Sequence, residues 1–125
     1  MGVASPEDMA EAFRQRFNDR DEAGLLDLYG PDAVFTLDGE TLARGAAEIK
    51  AALSSMLSSG FTLKGRYENV LTAGDVAVCR LRWEMLNSEG WIEMDGVSLE
   101  VLKRGADGRW RFALDDATGS SRASD

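Results

Sequence analysis

The feature that most constrains the fold is a series of long strand-forming runs in the second half of the chain. They cover residues 61–72, 75–86, 91–103 and 109–115. Short sequences typical of turns separate them, and such turns join neighbouring antiparallel strands. In the second run Cys79, Leu81 and Trp83 alternate with polar or charged neighbours, so we assign them to the core side. The pattern predicts an antiparallel meander.

The first half of the chain carries helix signals. Ser5 and Pro6 are typical of a helix start, and Met9, Phe13 and Phe17 follow at a spacing of four residues. We expect this first helix to extend to about residue 18.

Two further helices and a short strand complete the first half. Asp21 can cap a second helix with Leu25, Leu28 and Tyr29 on one face, ended by the Gly-Pro pair at 30–31. A strand is expected over 33–37 and a third helix between 45 and 60. The prediction is an α+β fold of three N-terminal helices packed on a curved antiparallel sheet. We expect one domain over residues 5–116 and a flexible polar tail over 117–125.

Composition excludes several classes of function. A formal charge of −8 repels nucleic acid, so no nucleic-acid partner is expected. The chain contains no histidine, which removes the commonest general base and zinc ligand, and we expect neither a metal nor a cofactor. No stretch has the length of a membrane span and no signal sequence is visible, so no membrane contact and a cytoplasmic location are expected. Acid-base chemistry here would depend on carboxyl groups or a tyrosine.

A set of short motifs resembles the nuclear-transport-factor-2-like (NTF2-like) superfamily, in its SnoaL-like and ketosteroid-isomerase-like branch. The motifs lie at 17–21, 25–35, 38–39, 44–45, 73–77, 107–112 and 115. The resemblance implies a cone-shaped fold, a deep apolar pocket and a homodimer formed through the sheet. Arg80, Arg82 and Glu84 would then lie on the outward sheet face, where a solvated face of a monomer is the alternative.

The isomerase chemistry of that branch can be compared position by position. Ketosteroid isomerases use an aspartate base, a tyrosine and a protonated aspartate. The resemblance places the tyrosine at Phe13 and the base at Leu37, and the protonated aspartate near Val97 or Leu99. None of these side chains can perform the role, so classical steroid isomerisation is not expected. Asp38, beside a turn glycine, is interpreted as a turn former.

Other carboxylates remain as candidate catalytic groups. Glu93 and Asp95 alternate in step with Val97 and Leu99, which would direct both acids toward the core. The alternative is a bulge at Gly96 that leaves both acids exposed.

Late in the sheet, Asp116 or Asp115 is a further candidate, because SnoaL-like cyclases carry a working aspartate in a similar place. Acidic strand ends can also serve solubility alone.

The apolar and aromatic residues suggest a ligand pocket, although they could equally form a packed core. The predicted lining is Phe13, Phe17, Tyr29, Phe35, Leu37, Met56, Trp83, Trp91, Val97, Leu99 and Trp110. Two functions remain open. One is a cofactor-free isomerase, cyclase or hydratase acting on a small apolar, polyketide-like or terpenoid molecule. The other is a non-catalytic ligand-binding or dimerisation module.

Overall fold

The computed structural model describes residues 2–119, which form three helices and seven strands. A 3₁₀ turn over Pro6–Asp8 precedes the first helix. The helices are α1 (Met9–Asn18), α2 (Glu22–Leu26) and α3 (Gly45–Leu57). The strands are β1 (Tyr29–Thr36), β2 (Ala43–Arg44), β3 (Thr62–Ala73), β4 (Val76–Leu86), β5 (Ile92–Val97), β6 (Leu99–Arg104) and β7 (Trp110–Asp116).

All seven strands belong to one curved, unclosed sheet with the order β2-β1-β7-β6-β4-β3. The first part of β4 pairs with β6 and its second part pairs with β5. Every pairing is antiparallel except that of β1 with β7, which is parallel. The predicted α+β fold class is confirmed, and the third predicted run is divided into β5 and β6 at Ser98.

The helices lie against the concave face of the sheet because each has one apolar side. In α1, Met9, Phe13 and Phe17 are buried, as the spacing of four predicts. The side chain of Asn18, the last residue of α1, donates to the Leu63 carbonyl oxygen at 3.0 Å and accepts from the Leu63 amide at 2.7 Å. This pair of bonds joins α1 to β3.

The second helix is shorter than predicted, and Tyr29 is not part of it. The Asp21 side chain caps α2 by accepting from the Gly24 amide at 2.9 Å, as expected. The chain then enters β1 at Tyr29, which pairs with Phe112 of β7. The pairing of β1 with β7 is irregular between Tyr29 and Val34. Pro31 lies in this irregular part, where its lack of an amide hydrogen does not remove a regular ladder hydrogen bond. Pairing with the parallel strand β7 thus starts β1 at Tyr29, earlier than the sequence pattern predicts.

The outer face of the sheet carries a continuous apolar row. Residues paired directly across neighbouring strands project on the same face. The row crosses β3, β4, β6, β7 and β1 through Leu71, Val78, Val101, Leu114 and Val34. The Leu71 side chain is 60% exposed, and the other members of the row are half-buried.

The end of the described chain packs back on the sheet. The indole nitrogen of Trp83 donates to the Ala117 carbonyl oxygen at 2.7 Å. Of the predicted polar tail, residues 120–125 lie outside the described residues. No helix within residues 2–119 is long and apolar enough to cross a membrane.

Replacing Leu53 by alanine should lower the free energy of unfolding by about 2–5 kcal/mol. Leu53 is fully buried between α3 and the sheet, so truncation leaves a cavity that its neighbours cannot fill. Urea denaturation followed by circular dichroism measures the change. The matched control is Leu42→Ala, since Leu42 is 42% exposed and should change stability by less than about 0.5 kcal/mol. Equal losses in the two variants would contradict the assignment of Leu53 to the core.

Candidate functional site

The candidate site is built around two carboxyl groups buried on the concave face of the sheet. Glu100 on β6 is 3% exposed and Asp115 on β7 is 6% exposed. The two residues are direct partners across the β6–β7 ladder, so their side chains project side by side on one face. No other aspartate or glutamate among residues 2–119 is buried.

Glu100 faces the core because β5 and β6 share one register against β4. Gly96, Ser98, Glu100 and Leu102 hold the inward positions of a single alternation that runs through the junction. The Ser98 amide donates to the Leu81 carbonyl oxygen at 2.9 Å, and the Ser98 hydroxyl accepts from the Leu81 amide at 3.3 Å. These bonds hold the β5–β6 junction against β4.

Asp115 faces the core because β7 contains a bulge. Val101 pairs with Leu114 and Leu102 pairs with Phe112, so Ala113 has no direct partner in this ladder. The extra residue places both Phe112 and Asp115 on the concave face. Asp116, the neighbouring candidate, is half-buried and its carboxylate accepts from the Thr118 amide at 3.2 Å.

Each buried carboxyl group accepts a hydrogen bond from a tyrosine. The Tyr29 hydroxyl donates to Oδ2 of Asp115 at 2.6 Å, and the Tyr67 hydroxyl donates to Oε1 of Glu100 at 2.7 Å. The Ser98 hydroxyl donates to the other oxygen of Glu100 at 2.9 Å. The two acids therefore have fixed orientations, one supported from β1 and the other from β3 and the β5–β6 junction.

Burial raises the pKa of both acids. For Glu100, loss of hydration and then repulsion from Asp115 raise the pKa to about 8, against the lowering effect of the bonds from Tyr67 and Ser98. For Asp115, loss of hydration raises the pKa to about 6, while the bond from Tyr29 lowers it. At neutral pH the arrangement therefore favours a protonated Glu100 beside an ionised Asp115. Such a pair can both donate and accept a proton.

The acids open onto a narrow apolar cavity between the helices and the sheet. Its volume is about 40 Å³, measured as the space open to the centre of a water molecule. The lining consists of Met9, Ala10, Phe13, Phe35, Leu37, Met56, Leu63, Tyr67, Leu81, Trp83, Met85, Ser98, Glu100, Phe112, Asp115 and Ala117. None of these residues is basic. Any charge in the cavity is therefore negative, and an anionic ligand would be repelled.

The cavity includes some of the predicted pocket residues and excludes others. The predicted residues that line it are Phe13, Phe35, Leu37, Met56 and Trp83. The predicted residues that do not line it are Phe17, Tyr29, Trp91, Val97, Leu99 and Trp110.

Each excluded residue has a physical reason. Phe17 and Trp110 are packed in the core, and Tyr29 reaches the site only through its bond to Asp115.

The other excluded residues lie on the wrong side of the sheet or at its edge. Val97 pairs with Arg82 and Leu99 pairs with Asp116, on the side of the sheet opposite Trp83 and Glu100. Trp91 is 69% exposed just after the β4–β5 turn.

Glu93 and Asp95 do not reach the cavity, which corrects the prediction that they face the core. Asp95 is exposed and pairs with Glu84, whereas it is Gly96 that lies opposite Trp83. Glu93 is exposed and accepts from the Asn87 side chain at 2.7 Å. Asp95 does alternate in step with Val97 and Leu99, but this whole set of positions lies on the outer face of the sheet.

Glu100, Tyr67 and Ser98 were not identified from the sequence. The available signal was the second alternation of this run, in which Ser98, Glu100 and Leu102 occupy the positions between the aliphatic residues.

Two other side chains considered from the sequence have structural roles. Asp38 is exposed, and its carboxylate accepts from the Glu40 and Thr41 amides at 2.8 Å, which lowers its pKa. Cys79 is fully buried, and loss of hydration and then the charge of Glu100 raise the pKa of its thiol to about 12. It is therefore a neutral core residue. Within residues 2–119, no group of three or more potential metal-binding side chains is close enough to hold an ion.

The cone of helices on a curved, unclosed sheet is the fold of NTF2-like proteins. The family model described as "SnoaL-like domain" matches residues 10–113, and this chain belongs to that family. A search of curated proteins finds no match.

Solved structures share the fold. A candidate calcium/calmodulin-dependent protein kinase type II association domain from Thiobacillus denitrificans superposes with a TM-score of 0.81 at 19% identity, covering 94% of this chain and 97% of that one. A ketosteroid isomerase-like protein from Erwinia carotovora atroseptica gives 0.69 at 25% identity, covering 86% and 87%. A candidate dehydratase of the NTF2-like family from Streptomyces avermitilis gives 0.71 at 17% identity, covering 86% and 88%.

The stability of the protein should fall as pH rises from about 4.5 to about 8, because the pKa of Glu100 is raised in the folded state. Below this range the carboxyl group is protonated in both states and its full contribution is present. As pH rises, the unfolded chain ionises first and is favoured, until the folded pKa is passed. The expected loss is a few kcal/mol, measured by urea denaturation at several pH values.

The control for this experiment is Glu100→Gln, which keeps a neutral polar side chain of similar size. The variant should reduce the pH slope over that range, leaving a smaller contribution from Asp115 near its own pKa of about 6. An unchanged slope in the variant would assign the pH dependence to other groups.

Proposed function

We propose that this protein is a cofactor-independent enzyme that transfers a proton on a small, neutral, apolar molecule. The observation that carries the proposal is the side-by-side burial of Glu100 and Asp115 at the end of an apolar cavity. A buried acid pair with no basic partner lowers the stability of the fold. Two such acids are therefore not expected in a core unless they have a function. Active sites are where such arrangements are typically found.

The proposed step uses the two acids in opposite states. Asp115, with the lower pKa, accepts a proton from a carbon next to a carbonyl or hydroxyl group of the substrate. Glu100, with the higher pKa, donates its proton to the substrate oxygen as negative charge develops there. In an isomerisation the proton on Asp115 returns to another carbon, and the enol oxygen returns its proton to Glu100. In a dehydration the hydroxyl group leaves as water with the proton from Glu100, and the proton on Asp115 then passes to the Glu100 carboxylate, which restores both acids. Each outcome balances without a redox partner.

The tyrosines have separate roles in this proposal. Tyr67 lines the cavity and bonds Glu100, so it holds the acid and can also approach the substrate oxygen. Tyr29 does not line the cavity and acts through Asp115 alone, which makes it a positioning residue. Both hydroxyl groups remain protonated, since burial and the neighbouring acids raise the pKa of each tyrosine.

Exchange of carbon-bound protons of 2-butanone in D₂O, followed by proton NMR, tests the chemistry. We expect the protein to accelerate exchange, and Asp115→Asn or Glu100→Gln to reduce the acceleration by about 10²–10⁴-fold, the usual contribution of a general acid or base. The matched controls are Asp95→Asn and Glu93→Gln, because both acids are exposed and should leave the rate unchanged.

If proton exchange is too slow to measure, the titration of the two acids by carboxyl-carbon NMR tests the proposal. If Glu100 and Asp115 both titrate near the ordinary value of about 4, the acid-base proposal is excluded.

A second role, association through the sheet, is supported by the outer apolar row. We propose a homodimer in which Leu71, Val78 and Val101 contact a second copy around a twofold axis. An apolar row that crosses five strands is larger than the single exposed side chains normal for a monomer surface. This role is compatible with catalysis, and alone it would make the protein a dimerisation module.

Replacing Val101 by glutamate should convert the dimer into a monomer, because the change puts a charge at the centre of the apolar row. Light scattering after size exclusion at micromolar concentration measures the mass. The control is Leu42→Glu, which adds the same charge away from the sheet face and should leave the mass unchanged. A wild-type protein that is already monomeric would exclude the dimer.

A further inference from the structure

The cavity that holds the acids is much smaller than the molecules a pocket of this kind would serve. A water needs roughly 10–15 Å³ of such space, so a cavity of about 40 Å³ holds only about three waters. Only the reacting end of a substrate can therefore occupy it without movement of the lining. The remainder of the substrate needs a second apolar surface next to the cavity.

Strand β5 provides such a surface on the concave side of the sheet. Met94 lies opposite Met85, and Gly96 lies opposite Trp83, and both of these partners line the cavity. Residues paired in this way project on the same face, so Met94 and the backbone at Gly96 continue the cavity wall. Met94 is 39% exposed, so this end of the wall reaches solvent.

We propose that Met94 and Gly96, with their partners Met85 and Trp83, form a trough that binds the apolar tail of an elongated substrate. The trough rests on the proposed function, since the head of the same molecule is placed at Glu100 and Asp115. Because the trough continues the cavity wall, one ligand can occupy the cavity and the trough together. A methionine is suited to this role because its flexible thioether adapts to chains of different shape.

The charges near the trough define the ligand further. No residue that lines the cavity is basic, Glu93 is exposed on the same strand, and Asp95 and Glu84 lie behind the trough on the outer face. These acids disfavour a fatty acid, a phosphate ester or an anionic lipid surface. The ligand class is therefore a neutral, mainly hydrocarbon chain with one oxygen-containing end.

Isothermal titration with unbranched 2-ketones of five to eleven carbons tests the trough. Wild-type affinity should rise about fourfold for each added methylene, as expected when each one is buried. In Met94→Ser the rise should be reduced to less than about twofold per methylene, because part of the chain stays in water. The matched control is Val76→Ser on the outer face, whose side chain is 38% exposed and whose variant should keep the wild-type dependence.

Several outcomes would overturn the trough. It is excluded if Met94→Ser keeps the wild-type dependence on chain length, or if no ketone in the series binds. It is also excluded if Met94→Ser changes the molecular mass in light scattering, because a second copy would then cover this surface. Glu100→Gln should keep the chain-length dependence. Failure of the acid-base proposal is therefore recognised separately, by the proton-exchange rates.

Discussion

The acid pair depends on one extra residue in β7. Glu100 holds an inward position in the regular alternation of β6, and the bulge at Ala113 turns Asp115 inward beside it. In a regular β7, Leu114 would take the position opposite Glu100. The hydrogen bonds between Ser98 and Leu81 keep Glu100 in register with β4, so a contact between strands determines which side chain faces the helices. The chemistry proposed for this chain thus begins with strand geometry.

The cluster around the acids shows how a small domain keeps two carboxyl groups away from water. Tyr29, Tyr67 and Ser98 supply donors to three of the four carboxyl oxygens, which offsets part of the lost hydration. The donors are neutral, so they orient the acids without restoring ordinary acidity. A basic partner would have lowered both pKa values and fixed the pair as a salt bridge. Neutral donors leave a proton available at physiological pH in a chain that lacks histidine.

The sequence predicted the architecture well because periodicity and turn chemistry act locally. The helix stripe of Met9, Phe13 and Phe17 and the alternation of β4 are confirmed, and the family resemblance gave the correct fold. The acids were harder to place because the face on which a side chain lies depends on every residue before it in the strand. One extra residue reverses every later position, and pairing with a distant strand decides where it is inserted.

Asp115 was included among the candidates, whereas Glu100 was not considered. The alternation of aliphatic residues at 97, 99 and 101 is a valid strand pattern, yet it belongs to the outer face. Tyr29 shows the same difficulty. Its spacing fits the apolar face of a helix, and only its pairing with β7 places it in a strand.

The regular alternation through Ser98 also makes the acid site separable from the fold. Deleting one residue there would move each later residue of β6 to the opposite face and bring Val101 to the inward position that Glu100 now holds. The strand pattern would remain, and the proposed proton donor would be lost. Within this architecture, a single deletion in β6 is therefore enough to separate the fold from the proposed chemistry.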